Sequence, residues 1–105
     1  MPQYLIAGQH PPDLCPQANE TVRKLAHEGA GEIAGLAEKL GVKLSATYVP
    51  MNNHMVFAAV EADDMSTVRE FAFQSRLEQW NTIDIYQVST LEEALTKVNE
   101  LPTIY

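Results

Sequence analysis

VKLSATYVPMNNHMVFAAVE, residues 42–61, is the stretch whose reading decides the fold. Val42 to Pro50 reads as a strand, with Leu44, Ala46 and Tyr48 alternating against Ser45, Thr47 and Val49. Met51-Asn52-Asn53 reads as a hairpin turn, because asparagine tolerates left-handed backbone angles. His54 to Glu61 reads as the returning strand, apolar from Met55 through Val60. Two adjacent strands joined by a tight turn form an antiparallel hairpin.

Outward from this hairpin lie helices. On its N-terminal side a helical stripe runs through Val22, Leu25, Ala26, Ala30, Ile33, Leu36, Ala37 and Leu40. Pro16 suits the first helical position and Gly41 the C-terminal cap. Before that helix, Gln3 to His10 reads as a strand, with Tyr4, Ile6 and Gly8 on one face and Leu5 and Ala7 on the other. Two apolar faces predict a central strand, and Gly8 leaves room for a close approach. On the C-terminal side, Asp63 and Asp64 open a second helix whose inner face is Val68, Phe71, Ala72 and Ser75. Arg76 to Trp80 is its end or a turn leading out. Thr82 to Val88 is the fourth strand. Ser89 and Glu92 have capping-box spacing before a last helix carrying Leu91, Leu95, Val98 and Leu101, stopped by Pro102.

The order is strand, helix, strand, strand, helix, strand and an added helix, over one domain, 1–105. It predicts an α+β, ferredoxin-like βαββαβ domain with a four-stranded antiparallel sheet and both main helices on one face. The other face needs cover, because Tyr4, Ile6, Met55, Phe57 and Tyr86 cannot all meet water cheaply. A symmetric homodimer is the expected solution.

In this order of elements the chain resembles the small dimeric α/β-barrel domains, including the GYD-type and muconolactone-isomerase-like families. The residues that carry the resemblance are Pro2-Gln3-Tyr4-Leu5-Ile6, the segment Val56 to Ala62 and the run Val68-Arg69-Glu70-Phe71. The resemblance implies the fold and the dimer. The superfamily includes isomerases, monooxygenases and metal binders, so its implication for function is broad.

Composition excludes several classes. The 105 residues hold 7 Lys and Arg against 14 Asp and Glu, a formal charge of −7. Scattered cations in an acidic chain do not predict a nucleic-acid partner. No apolar run approaches the roughly 20 residues of a membrane span. The start lacks the basic region of a secretory signal, so a soluble, cytoplasmic protein is expected. One cysteine makes no internal disulfide.

The chemistry is concentrated in Gln9-His10-Pro11-Pro12-Asp13-Leu14-Cys15-Pro16, between the first strand and the first helix. In this topology the first and third strands are central antiparallel neighbours. The end of one, His10, therefore lies beside the start of the other, His54. The fourth strand begins at the same end and brings Trp80 and Asn81 close. Cys15 completes the set. Two imidazoles and a thiolate suit zinc, copper or nickel. Asp13, Asn52, Asn53 or a water is available for a fourth contact, and Asn52, Asn53 and Asn81 for supporting hydrogen bonds. Against this stands a plain cross-strand pair of histidines with a buried cysteine.

Other chemistries use the same residues. Cys15 at the helix N-cap would be an activated thiolate. His10 or His54 would be the general base of an isomerase or cofactor-independent oxygenase on an aromatic or ketonic substrate. A cavity between paired sheets, lined by Tyr4, Tyr48, Tyr86, Phe57, Met55 and Asp84, would take an apolar ligand. A third class is a structural or regulatory dimerisation module without ligand. Trp80 is expected to pack under the loop and His27 to face solvent. The leading reading is a site at His10, Cys15 and His54 that binds a transition metal or a small ligand.

Overall fold

A computed structural model describes residues 1–105. Four strands, β1 (Gln3–Gln9), β2 (Lys43–Tyr48), β3 (Met55–Glu61) and β4 (Thr82–Val88), form one antiparallel sheet in the order β2-β3-β1-β4. Three helices, α1 (Glu20–Leu40), α2 (Met65–Gln74) and α3 (Leu91–Val98), complete the chain. This is the ferredoxin-like strand order, with β1 and β3 central.

Cross-strand register sorts the side chains onto two faces. Ile6 is opposite both Ala58 and Ile85, and Tyr4 is opposite Val60. These residues join Val68, Phe71 and Ala72 of α2 and Ala37 of α1 in the core. Phe71, Ile6, Val60 and Val68 are its largest fully enclosed side chains. Each contributes about 1.5–3 kcal/mol through removal from water. Tyr4 therefore faces the helices and has no place in a cavity on the other side of the sheet. That opposite face carries Leu5, Ala7, Phe57, Asp84 and Tyr86, as the registers Ala7–Phe57, Ala7–Asp84 and Leu5–Tyr86 require. No helix of the chain covers it.

Three local expectations need correction. The even alternation of β2 fails at a β-bulge between Leu44 and Ala46, so Leu44 pairs with Val60 while Ala46 pairs with Ala59. A bulge inserts one residue, here Ser45, and moves the later residues of the strand to the other face. Leu44 packs on the core, and Tyr48 stands 62% exposed opposite Phe57.

The second correction concerns the start of α1. Pro16 is not its first residue; the helix begins at Glu20, and Asn19 caps it by accepting a hydrogen bond from the Val22 amide at 3.0 Å. Residues 12–14 form a separate 3₁₀ turn. The third is the cap of α3, which is Thr90 bonded to the Glu93 amide, one residue later than the Ser89–Glu92 spacing suggests. Gly41 ends α1 as expected, at φ 73°, where its amide reaches the carbonyls of Ala37 and Glu38.

The helix α3 buries none of its residues, and Leu91, Leu95 and Val98 are all more than half exposed. The radius of gyration is 16.0 Å, where a compact chain of this length has about 13 Å. The molecule is accordingly elongated, 53 × 33 × 18 Å. No helix is long and apolar enough to cross a membrane.

Candidate metal centre

The β1–β3 ladder runs to Gln9–Met55 and is extended by the His10 amide, which donates to the His54 carbonyl at 3.1 Å. That bond places the two imidazoles side by side, with ring centres 5.7 Å apart in an edge-to-face arrangement. The Trp80 ring lies 5.1 Å from the His10 ring, tilted by 48°. It is buried, as expected of a residue packed under the loop.

Cys15 arrives from a loop whose backbone carbonyls are tied down by amides and by the side chains of Asn19 and Arg23. The turn Pro12–Leu14 closes when the Cys15 amide donates to the Pro12 carbonyl at 3.2 Å. The Cys15 carbonyl then accepts from the amides of Ala18 and Asn19. Arg23 reaches back from α1 to hold the carbonyls of Pro16 and Gln17 at 2.8 and 2.9 Å. Asn19 also donates to the Asp13 carbonyl. Cys15 is therefore held four residues before the Asn19 cap and is not the N-cap of α1 that its place before Pro16 suggests. It is buried, at 6% exposure.

The outcome is a cluster in which one ligand atom from each of His10, Cys15 and His54 lies within 4.8 Å of the other two. A tetrahedral zinc with ordinary Zn–N and Zn–S bonds sets its ligand atoms about 3.3–3.6 Å apart.

Asn81 defines the state of His10. Its amide nitrogen donates to the Leu77 carbonyl at 3.1 Å, so its Oδ1 is the atom facing His10. That oxygen only accepts, so the contact of 2.8 Å requires a proton on His10 Nδ1. In the neutral ring Nε2 then carries a lone pair. This atom is buried and has no hydrogen-bond partner. Buried polar atoms without partners are rare and call for an explanation.

Gly8 makes the Asn81 contact possible. A Cβ at Gly8 would stand 2.9 Å from Val56 Cγ2 and 3.1 Å from Asn81 Cγ. The approach for which this glycine leaves room is thus that of the Asn81 side chain.

The other candidate residues lie around this cluster without joining it. The Asn53 Oδ1 accepts from the His54 amide at 2.8 Å and holds the start of β3. Asn52 and Asp13 are exposed, and His27 is exposed on α1. A hollow of about 400 Å³ on the outer side is lined by Gln9, His10, Pro11, Pro12, Asn53, His54 and Thr82. On the inner side His10, Cys15 and Trp80 border a second cavity, beneath α1. Sequence reasoning did not find that cavity, because its walls are ordinary core-type residues of α1 and the sheet. No protein-family model matches the chain, and no curated protein matches its sequence.

Proposed function

We propose that the protein binds one transition-metal ion through His10, Cys15 and His54. The observation that carries this reading is the unpartnered, buried Nε2 of His10, left free by the Asn81 contact at Nδ1, in a group of three residues whose ligand atoms lie within 4.8 Å of one another. Metal-bound histidines characteristically donate their other ring nitrogen to an oxygen, which fixes the tautomer and the ring orientation. His10 has that arrangement with Asn81. Two imidazoles and a thiolate favour the borderline and soft ions zinc, copper and nickel.

Metal analysis after growth with zinc, copper and nickel in turn tests the reading. Near one equivalent of one ion is expected in the wild type, with loss of most of it in His54→Ala. His54 is the informative position, because it is less enclosed than His10 and its truncation disturbs less of the core. Substoichiometric metal under every supplement would overturn the reading.

A second reading is a metal-free enzyme of the dimeric α/β-barrel kind, in which the same lone pair on His10 Nε2 is a general base. The observation in its favour is that His10 borders a cavity of ligand size. Activity that survives complete metal removal would distinguish it.

For the uncovered face of the sheet we infer a second copy of the chain. Phe57 and Tyr86 on that face, together with the Leu91–Leu95–Val98 stripe of α3, form apolar surface that one copy leaves unpartnered. A two-fold dimer covers both with the same residues.

A further inference from the structure

The cavity beneath α1 measures about 450 Å³. Leu25, Ala26 and Ile33 of α1 wall it on one side, and Ile6 and Ala58 of the sheet on the other. Its volume is several times that of the roughly 150 Å³ apolar cavities that stay dry and accept benzene. It lies in the range of small-molecule sites, which are apolar with a few directed polar groups. Polar side chains among a mostly apolar lining include Thr47, Tyr48 and Ser75, and the two that could also hold an ion, His10 and Cys15, border the same space. His54, by contrast, borders the outer hollow.

We propose that this cavity binds a small apolar molecule carrying one nitrogen or sulfur donor, whose body fills the space beneath α1 and whose donor completes the coordination of the ion held by His10, Cys15 and His54. The proposal rests on the metal reading, and goes beyond it by assigning the fourth ligand and its source. Three protein ligands leave a tetrahedral ion one open position, the pattern of sites that take a water or substrate. Two of the three ligating residues also form the end wall of the cavity. A donor entering from the apolar side therefore meets the ion directly, while its hydrocarbon body leaves water. The class is set by these two ends: an aromatic or aliphatic body without charge, and a single lone pair at its tip.

The test uses cobalt(II) as a spectroscopic stand-in for the ion, and three probes. Imidazole supplies the donor alone, 1-phenylpyrrole the apolar body alone, and 1-phenylimidazole both. The cobalt-loaded protein is expected to bind 1-phenylimidazole at least about tenfold more tightly than either partial probe, with a shift of the cobalt absorption bands. Ala26→Phe, which fills the cavity, is expected to remove the advantage over imidazole while leaving the cobalt spectrum of the unliganded protein intact. Equal affinity for imidazole and 1-phenylimidazole in loaded protein overturns this proposal and leaves the metal reading standing. The absence of a thiolate-to-cobalt band before any probe is added, together with substoichiometric metal under every supplement, overturns both.

Discussion

At the scale of single residues, the candidate centre depends on a chain of three contacts that begins at a glycine. Gly8 has no side chain, so Asn81 can lie against β1. Asn81 is oriented by the Leu77 carbonyl and in turn orients His10, whose Nε2 is left bare. Substituting Asn81→Leu is expected to lower metal affinity by about 10- to 100-fold, the usual effect of losing such a supporting hydrogen bond. Gly8→Ala, which touches no ligand, is expected to weaken metal binding as well. It should also cost about 1–3 kcal/mol of stability through overpacking against Val56 and Asn81. Metal titration with denaturant unfolding of both variants checks this. Wild-type affinity in Gly8→Ala would show that Asn81 does not depend on the space at Gly8. The convergence of His10 with His54 was legible in the sequence, because strand order alone sets it. Asn81 was legible as one of three asparagines available for a supporting hydrogen bond, but its orientation was not, since that requires the Leu77 carbonyl, which is placed by the turn Arg76 makes at φ 68°.

At the scale of elements, caps decide where helices begin, and here they decide how the cysteine is presented. A proline at position 16 is compatible with a helix start. The observed start is later, because Asn19 supplies the capping oxygen and Arg23 ties the preceding carbonyls into a loop. The second helix has a titratable cap. The Asp64 carboxylate accepts from the Thr67 amide at 2.8 Å and from its hydroxyl at 2.9 Å. These bonds hold its pKa below the ordinary 3.8. The folded state then binds fewer protons than the unfolded chain as the group titrates, so the cap stabilises fully above the ordinary carboxylate range. That contribution is lost as pH falls through the lowered folded value. Asp64→Asn retains a capping oxygen without the charge, and is expected to flatten this part of the acid limb in urea midpoints measured against pH. An acid limb unchanged by the substitution would locate the titration elsewhere. The bulge at Ser45 was not legible, because nothing in the alternation of residues 42–50 marks where one residue is skipped.

At the scale of the whole molecule, an elongated shape and an unpartnered apolar helix belong to the same fact. The exposed Leu91, Leu95 and Val98 lie at helical spacing on α3, and the sheet face with Phe57 and Tyr86 is uncovered. Light scattering at micromolar concentration is expected to give twice the chain mass of 11.7 kDa. Leu95→Glu is expected to shift the species toward monomer by placing charge in the apolar stripe. A monomeric wild type would contradict the dimer and leave the candidate centre untouched, since His10, Cys15 and His54 come together within one chain. The fold class followed from the order of elements, but two of the five residues expected on the sheet face needing cover, Tyr4 and Ile6, belong to the core on the helix side. The cavity beneath α1 did not follow from that order, because a space between elements has no sequence of its own.

The most direct test of the central claim is X-ray absorption at the edge of whichever metal the purified protein retains. One sulfur near 2.3 Å and two imidazole nitrogens at about 2.0–2.1 Å are predicted for zinc, with the sulfur absent from Cys15→Ser. A shell of oxygen and nitrogen alone in the wild type, or a sulfur that persists in Cys15→Ser, would contradict the assignment of His10, Cys15 and His54.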